Sequence, residues 1–145
     1  MKIKQLTILS LCLSSLFLAA CATTNNIQPV NGDEFFNQAV EAYQNGNSAL
    51  AVQLFEKACN ADIVPSAAYF NLGMLYFSGD GVEKNYQKSA QLFKKACETG
   101  MADGCYNLAE QYLRAEGVER NVTTAEKYFK KSCEKGNQDA CDLAK

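Results

Sequence analysis

The sequence predicts an all-α fold, a short α-solenoid of about three antiparallel helix hairpins held together by disulfides. The main observation is an internal repeat, because the stretch from Tyr69 to Cys105 reappears 36 residues further along the chain. The matched pairs are Asn71 and Asn107, Leu72 and Leu108, Tyr76 and Tyr112, Val82 and Val118, Phe93 and Phe129, and Cys97 and Cys133. Each copy also holds two helix-length segments around a Gly-Val loop, and its cysteines recur at a fixed spacing. A fixed period of this length is typical of helical units that stack to bury their apolar faces.

The first twenty residues have the pattern of a secretion signal. Lys2 and Lys4 give a basic start, and the apolar segment that follows is short for a membrane span. We therefore assign residues 1–20 as a signal peptide. Leu18-Ala19-Ala20-Cys21 resembles the lipobox of bacterial lipoproteins, which implies cleavage before Cys21 and lipidation of its thiol. Ala22 stands where that family has Asp when the protein stays in the inner membrane, so the resemblance implies an outer-membrane lipoprotein facing the periplasm.

The segment 21–32 is polar and contains Pro29 and Gly32, which predicts a flexible tether between the lipid and the folded domain. Removal of residues 1–20 takes away two of the 14 basic residues and none of the 16 acidic ones, so the mature charge is −4. A mildly acidic chain without a basic cluster is a poor binder of nucleic acid. We therefore expect no nucleic-acid partner, and membrane attachment through the N-terminal lipid alone.

Three hairpins and a fragment can be placed from helix caps and turns. In the first unit, residues 33–66, helices run from Asp33, the predicted cap, to Gln44 and from Ser48 to Cys59. The remaining elements follow the repeat: the second unit, 67–101, has helices from Ser66 to Ser78 and from Tyr86 to Cys97 with Asn85 as cap; the third, 102–137, has helices from Ala102 to Arg114 and from Thr123 to Glu134; and 138–145 is a capping fragment.

The loops inside the second and third hairpins share a Gly-Val pair. Gly81 and Gly117 can supply a positive φ, and Val82 and Val118 can return to the core. Residues 33–66 resemble a tetratricopeptide repeat. Residues 67–141 resemble its relative with a longer loop, the Sel1-like repeat, through these loops and the Phe-Lys-Lys-Ala-Cys and Phe-Lys-Lys-Ser-Cys runs. Such solenoids serve many functions, so the resemblance predicts the fold but no specific function.

The cysteines of the second and third units are eight residues apart: Cys97 and Cys105, and Cys133 and Cys141. Each pair joins a helix end to the first turn of the next helix, close to the Cα separation that a disulfide needs, and exported proteins favour disulfides. The pattern resembles the secreted cysteine-rich branch of the Sel1-like family. Cys59 is left without a partner because Tyr69 takes the partner position, and we interpret it as a buried apolar residue on the Phe55 face of its helix.

Neither a metal site nor a cofactor is predicted, because the chain has no His, no Cys-x-x-Cys and no phosphate loop. The cysteine-rich branch is associated with penicillin binding and slow β-lactam hydrolysis. That association implies the sequence motifs of serine β-lactamases. Ser132-Cys133-Glu134-Lys135 matches Ser-x-x-Lys, but Ser-Asp-Asn and Lys-Thr-Gly are missing. We interpret Ser132 as a small residue at a helix–helix contact and assign no catalytic residue.

One stripe of residues suggests a binding site. An aromatic residue followed by Asn recurs on the first helix of each hairpin, and first helices line the concave face of tetratricopeptide solenoids. The predicted peptide groove comprises Phe36, Asn37, Phe70, Asn71, Met74, Phe77, Tyr106, Asn107 and Glu110, with Val40, Tyr43 and Leu113 on the same stripe. An Asn amide can donate to and accept from an extended peptide backbone at once. Alternatively, these amides bond neighbouring helices and the aromatic residues are core between repeats.

These observations favour a lipid-anchored, monomeric scaffold of the cell envelope that binds a peptide or protein on its concave face. The alternative function is β-lactam binding or weak hydrolysis, as implied by the cysteine-rich branch.

Overall fold

The computed structural model describes residues 29–144. The predicted signal peptide, Cys21 and most of the tether lie outside the described residues. Within them the chain forms seven helices, listed here in order: α1 (Gly32–Gln44), α2 (Ser48–Cys59), α3 (Ser66–Ser78), α4 (Tyr86–Glu98), α5 (Ala102–Arg114), α6 (Val122–Glu134) and α7 (Gln138–Leu143). The helices pair as α1 with α2, α3 with α4 and α5 with α6, and α7 packs on α6. The predicted all-α solenoid with two disulfides is confirmed.

Asparagine caps define where most helices begin. The side chains of Asn47, Asn85, Asn121 and Asn137 each accept a hydrogen bond from the backbone N–H three residues ahead. A cap of this kind satisfies one of the amide groups that a helix start leaves without a partner. The predicted cap at Asn85 is therefore confirmed.

The predicted cap at Asp33 is wrong. Asn31 caps α1, and its Oδ1 accepts from the Asp33 N–H at 3.0 Å. The cause is a contact from another part of the chain: Gly32 N–H donates to Ile63 O at 2.8 Å, which holds Asn31 in extended backbone two residues ahead of the expected cap. Gly32 is buried there, and a Cβ atom on it would come within 2.6 Å of Ile63 O.

The core runs along the stack of hairpins as three adjoining clusters. The first is formed by residues of α1 to α4, the second by α5, α6 and α7, and the third by Ala90, Phe93 and Leu108 at the junction between the last two hairpins. Val82 packs against the first cluster and Val118 against the third, as predicted for the Gly-Val loops. Gly81 and Gly117 both adopt a positive φ. The part of the chain from 29 to 144 contains no helix long and apolar enough to span a membrane.

Candidate functional site

A groove of about 580 Å³ lies between the first helices of the first two hairpins. Its lining comes from α1 and α3, with one residue from α2: Val40, Tyr43, Gln44, Phe55, Phe70, Asn71, Met74, Leu75 and Ser78. We call this set the groove. Because it lies between two repeats, the stacking of the hairpins creates it rather than either hairpin alone.

The groove is apolar but open to solvent. Tyr43 is 49% exposed and Met74 is 39% exposed, although both side chains are large and hydrophobic. No lining residue carries a charge. The Ser78 hydroxyl already has a hydrogen-bond partner within its own helix, because it donates to Met74 O at 3.0 Å. Exposed apolar side chains around a concavity with a few polar groups are typical of binding sites.

The side-chain amides of Asn37, Asn71 and Asn107, which we call the Asn ladder, do not bridge helices. Asn37 is exposed and Asn71 half-buried, and neither side chain hydrogen-bonds to any other group between residues 29 and 144. Asn107 Nδ2 donates to Asp103 O at 2.9 Å, within its own helix. The structure thus leaves the Asn71 amide, which lines the groove, available for a ligand. Whether these amides bind one stays a prediction.

The aromatic residues of the predicted peptide groove pack on the second helix of their own hairpin. Phe36 contacts Phe55 with ring centroids 5.7 Å apart, Phe70 contacts Phe93 at 5.8 Å, and Tyr106 contacts Phe129 at 5.4 Å. Phe77 likewise packs on Tyr86 at 5.2 Å. Packing of the Phe36, Phe70 and Tyr106 rings explains their recurrence, because these three occupy the same position in successive hairpins. Of them, only Phe70 lines the groove.

In the third hairpin the stripe becomes charged. Glu110 occupies the position that Met74 has one repeat earlier, and Arg114 occupies that of Ser78. Arg114 forms an ion pair with Glu110 along the surface of α5. Of the nine predicted groove residues, the structure brings Phe70, Asn71 and Met74 together, while Gln44, Phe55, Leu75 and Ser78 were missed. For Gln44 and Ser78, a spacing of four residues from Val40 and Met74 was the signal that could have found them.

Both predicted disulfides are present. Cys97 pairs with Cys105 and Cys133 with Cys141, each with Cα atoms 4.6 Å apart. Cys59 is the free thiol of the described chain, and it packs partly buried against the first core cluster. Burial raises its pKa to about 12, which keeps the thiol protonated and unreactive near neutral pH.

A polar cluster joins the first two hairpins, where the disulfide of the later units is missing. The Tyr76 hydroxyl donates to Glu56 Oε1 at 2.7 Å, and Lys88 Nζ donates to the same oxygen at 3.1 Å. The Tyr76 hydrogen bond, followed by that of Lys88, lowers the pKa of Glu56. Lys88 Nζ also donates to the Tyr76 hydroxyl, and this hydrogen bond, followed by the one to Glu56, raises the pKa of Lys88. The cluster links α2, α3 and α4. The repeat pattern does not reveal this cluster, because Glu56 and Lys88 have no counterparts in the other repeats.

Ser132 does not have the surroundings of a nucleophile. It is fully buried, and its hydroxyl donates to Ala102 O at 2.8 Å, which confirms the predicted role at a helix–helix contact. Lys135 of the same four-residue match lies exposed beyond the end of α6. Among residues 29–144 there is also no group of three acidic or cysteine side chains that could hold a metal ion.

A family model described as the Sel1 repeat matches residues 38–63, 66–101 and 102–137. "Putative beta-lactamase HcpC" of Helicobacter pylori is 40% identical over 55 residues, which are 38% of this chain and 18% of that protein. The chain thus spans less than a fifth of that relative.

The following two solved structures share the fold. One is c5321, a protective antigen of uropathogenic Escherichia coli with an SLR fold; it is 27% identical with a TM-score of 0.70 over 77% of this chain and 24% of its own. The other is cysteine-rich protein B of Helicobacter pylori, 28% identical with a TM-score of 0.60 over 77% of this chain and 93% of its own.

Proposed function

Since this chain belongs to the Sel1 repeat family, a family of protein-interaction scaffolds, we propose that it is a cell-envelope scaffold that binds an extended peptide segment in the groove. The observation that carries the proposal is the combination found between α1 and α3. An apolar concavity with Tyr43 and Met74 exposed lies beside the Asn71 amide, which has no partner within residues 29–144. Apolar surface provides affinity, and an amide can fix the direction and register of a peptide backbone.

The resemblance to a lipobox supports a cellular location for this scaffold. We propose that Cys21 is lipidated and that the domain is held at the outer membrane, facing the periplasm. The two disulfides are in keeping with an oxidising compartment. Anchoring would restrict the groove to partners of the envelope, which raises their effective concentration near the membrane.

A second candidate function is β-lactam binding or slow hydrolysis, favoured by the similarity to a relative that bears a β-lactamase name. The burial of Ser132 argues against the Ser-x-x-Lys match as its machinery. Fluorescent penicillin separates the two functions. A covalent label that survives denaturation would support the enzyme, whereas the scaffold predicts none.

Site-specific photo-cross-linking tests the groove directly. A photoreactive phenylalanine analogue at Met74 should form adducts with envelope proteins in living cells. The matched control carries the same analogue at Gln91, which is exposed on α4, outside the groove. Equal adducts from both positions, or none from Met74, would contradict the proposed function.

A further inference from the structure

Charge is divided unequally between the two sets of helices. The first helices of the hairpins, α1, α3 and α5, hold five acidic residues and one basic residue, a net charge of −4. The second helices, α2, α4 and α6, hold four acidic and seven basic residues, a net charge of +3. The single basic residue of the first helices, Arg114, is already paired with Glu110. Most of the groove lining comes from α1 and α3. Of these two helices, α1 holds three acidic residues and no basic one, and α3 holds no charged residue.

Helix termini explain only part of this division. Asp33, Glu34 and Asp103 lie in first turns, and Lys57, Lys95 and Lys131 lie in last turns, where such charges favour the helix dipole. Glu41 does not fit that explanation. It lies in the last turn of α1, where a carboxylate opposes the dipole and where α1 has no basic residue.

Glu41 is placed beside the groove. Asn37, Glu41 and Gln44 follow one another at helical spacing, so they share a stripe of α1, and Gln44 lines the groove. Glu41 is exposed and forms no salt bridge with the described residues. An unpaired carboxylate at the edge of an uncharged apolar groove favours a ligand that combines apolar and positive groups.

We propose that the groove selects extended peptides in which a large apolar side chain is next to Lys or Arg. The apolar side chain would pack against Val40, Tyr43 and Met74, and the basic side chain would meet Glu41. This inference rests on the proposed function and adds the chemistry of the partner. It predicts that peptides with an acidic residue in place of the basic one are rejected, since like charges face each other.

Selection from a phage-displayed library of random peptides on the detergent-solubilised full chain provides the test. We expect the enriched peptides to pair Phe, Tyr, Leu or Met with Lys or Arg. Enrichment without basic residues would overturn this inference and leave the groove proposal standing. No enrichment at all, with Met74 cross-links also lacking, would overturn both.

The affinity of one selected peptide for protein variants then tests whether its basic residue contacts Glu41. Glu41→Gln should weaken binding about two- to fivefold, as for an exposed ion pair, and the loss should shrink when salt is raised to about 0.5 M. Glu126→Gln is the charge-matched control, because Glu126 is exposed on α6 outside the groove. Glu41→Lys should bind the charge-reversed peptide, with Glu in place of its basic residue, better than the wild type does. Equal losses for the Gln variants, or no gain for Glu41→Lys, would contradict the assignment.

Discussion

Gly117 lies so close to the backbone of Tyr86 that a Cβ atom on Gly117 would overlap the Tyr86 carbonyl group. Gly81 has the same relationship to Ser48 one repeat earlier. In both cases the Gly-Val loop of one hairpin contacts the first turn of the second helix of the preceding hairpin. Because these glycines lack a Cβ atom, neighbouring repeats can approach closely, and Gly81 lies at the junction of the two hairpins that form the groove.

The first prediction concerns this contact. Gly117→Ala should lower the free energy of unfolding by at least about 2 kcal/mol, because it adds both a strained positive φ and a backbone overlap. Gly46→Ala is the control: Gly46 has a φ of +78°, and nothing lies within 4 Å of its added Cβ atom. It should cost about 1 kcal/mol from backbone strain alone. Urea unfolding measures both, and equal losses would show that the close contact is unimportant.

The cysteines give the second prediction. Peptide mapping without reduction should recover Cys97 linked to Cys105 and Cys133 linked to Cys141, with Cys59 as the free thiol. Native Cys59 should react with iodoacetamide much more slowly near pH 8 than an ordinary thiol, because burial raises its pKa to about 12 and limits access of the reagent. Alkylation in guanidinium chloride is the control and should be fast. Rapid alkylation of the native protein would contradict this burial.

The helices were largely predictable from the sequence because the repeat shows each of them more than once. The five residues that end at Asn85 recur, with one exchange, as the five residues that end at Asn121. Helix caps and loops could therefore be placed from local rules. The start of α1 could not, since it depends on the pairing of Gly32 with Ile63, two residues far apart in sequence. The same limit hid the contact of Glu56 with Tyr76 and Lys88, which come from three different helices.

The candidate site was predictable as a stripe but not as a surface. Periodicity placed Phe36 and Phe70 at one position of the repeat and Asn71 at the position that follows it. It could not show that the Phe36 ring turns toward Phe55 while the Asn71 amide stays free, because both outcomes have the same period. The groove itself depends on how α1 and α3 are spaced, which the Gly81 contact and the core determine.

The third prediction is a pH dependence. The pKa of Glu56 is lowered in the folded protein, so its contribution to stability is present above its unfolded value of 4.5 and is lost as the pH falls through the folded value. Glu56→Gln should therefore be less stable than wild type by about 1 kcal/mol at pH 7, a modest value because the Glu56 side chain is 41% exposed. Urea unfolding between about pH 3 and pH 7 should show this gap closing in acid.

Glu126→Gln serves as the control for that experiment, because Glu126 is exposed and lies on a different hairpin. Its stability should differ little from wild type across the range. A gap for Glu56→Gln that stays constant with pH would mean that the carboxylate charge is not what stabilises the cluster.

The fourth prediction concerns the proposed anchor. Cys21→Ser should accumulate as an unprocessed precursor, because lipid transfer needs the thiol of this residue. Labelling of cells with a palmitate analogue, followed by fractionation, measures both processing and location. Cys59→Ser is the control and should remain lipidated and membrane-bound. Normal maturation and release of Cys21→Ser into the periplasm would contradict the lipoprotein assignment.

The last prediction separates binding from folding at Asn71. Because its amide has no partner within residues 29–144, Asn71→Ala should change the free energy of unfolding by less than about 0.5 kcal/mol. If the amide clamps a peptide backbone, the same substitution should weaken binding of a selected peptide by about 1–3 kcal/mol, since the peptide groups lose their partner in a desolvated contact. Asn37→Ala and Asn107→Ala extend the test along the predicted ladder.

Asn85→Ala is the matched control, because the Asn85 side chain accepts from Lys88 N–H at 2.9 Å as the cap of α4. Loss of that cap should lower stability by about 1 kcal/mol and leave the affinity of the folded protein unchanged. Asn71→Ala should therefore lower the affinity and not the melting temperature, whereas Asn85→Ala should lower the melting temperature and not the affinity. If Asn71→Ala melts several degrees lower and binds as tightly as wild type, this amide serves the fold, and the groove must hold its ligand by apolar contact alone.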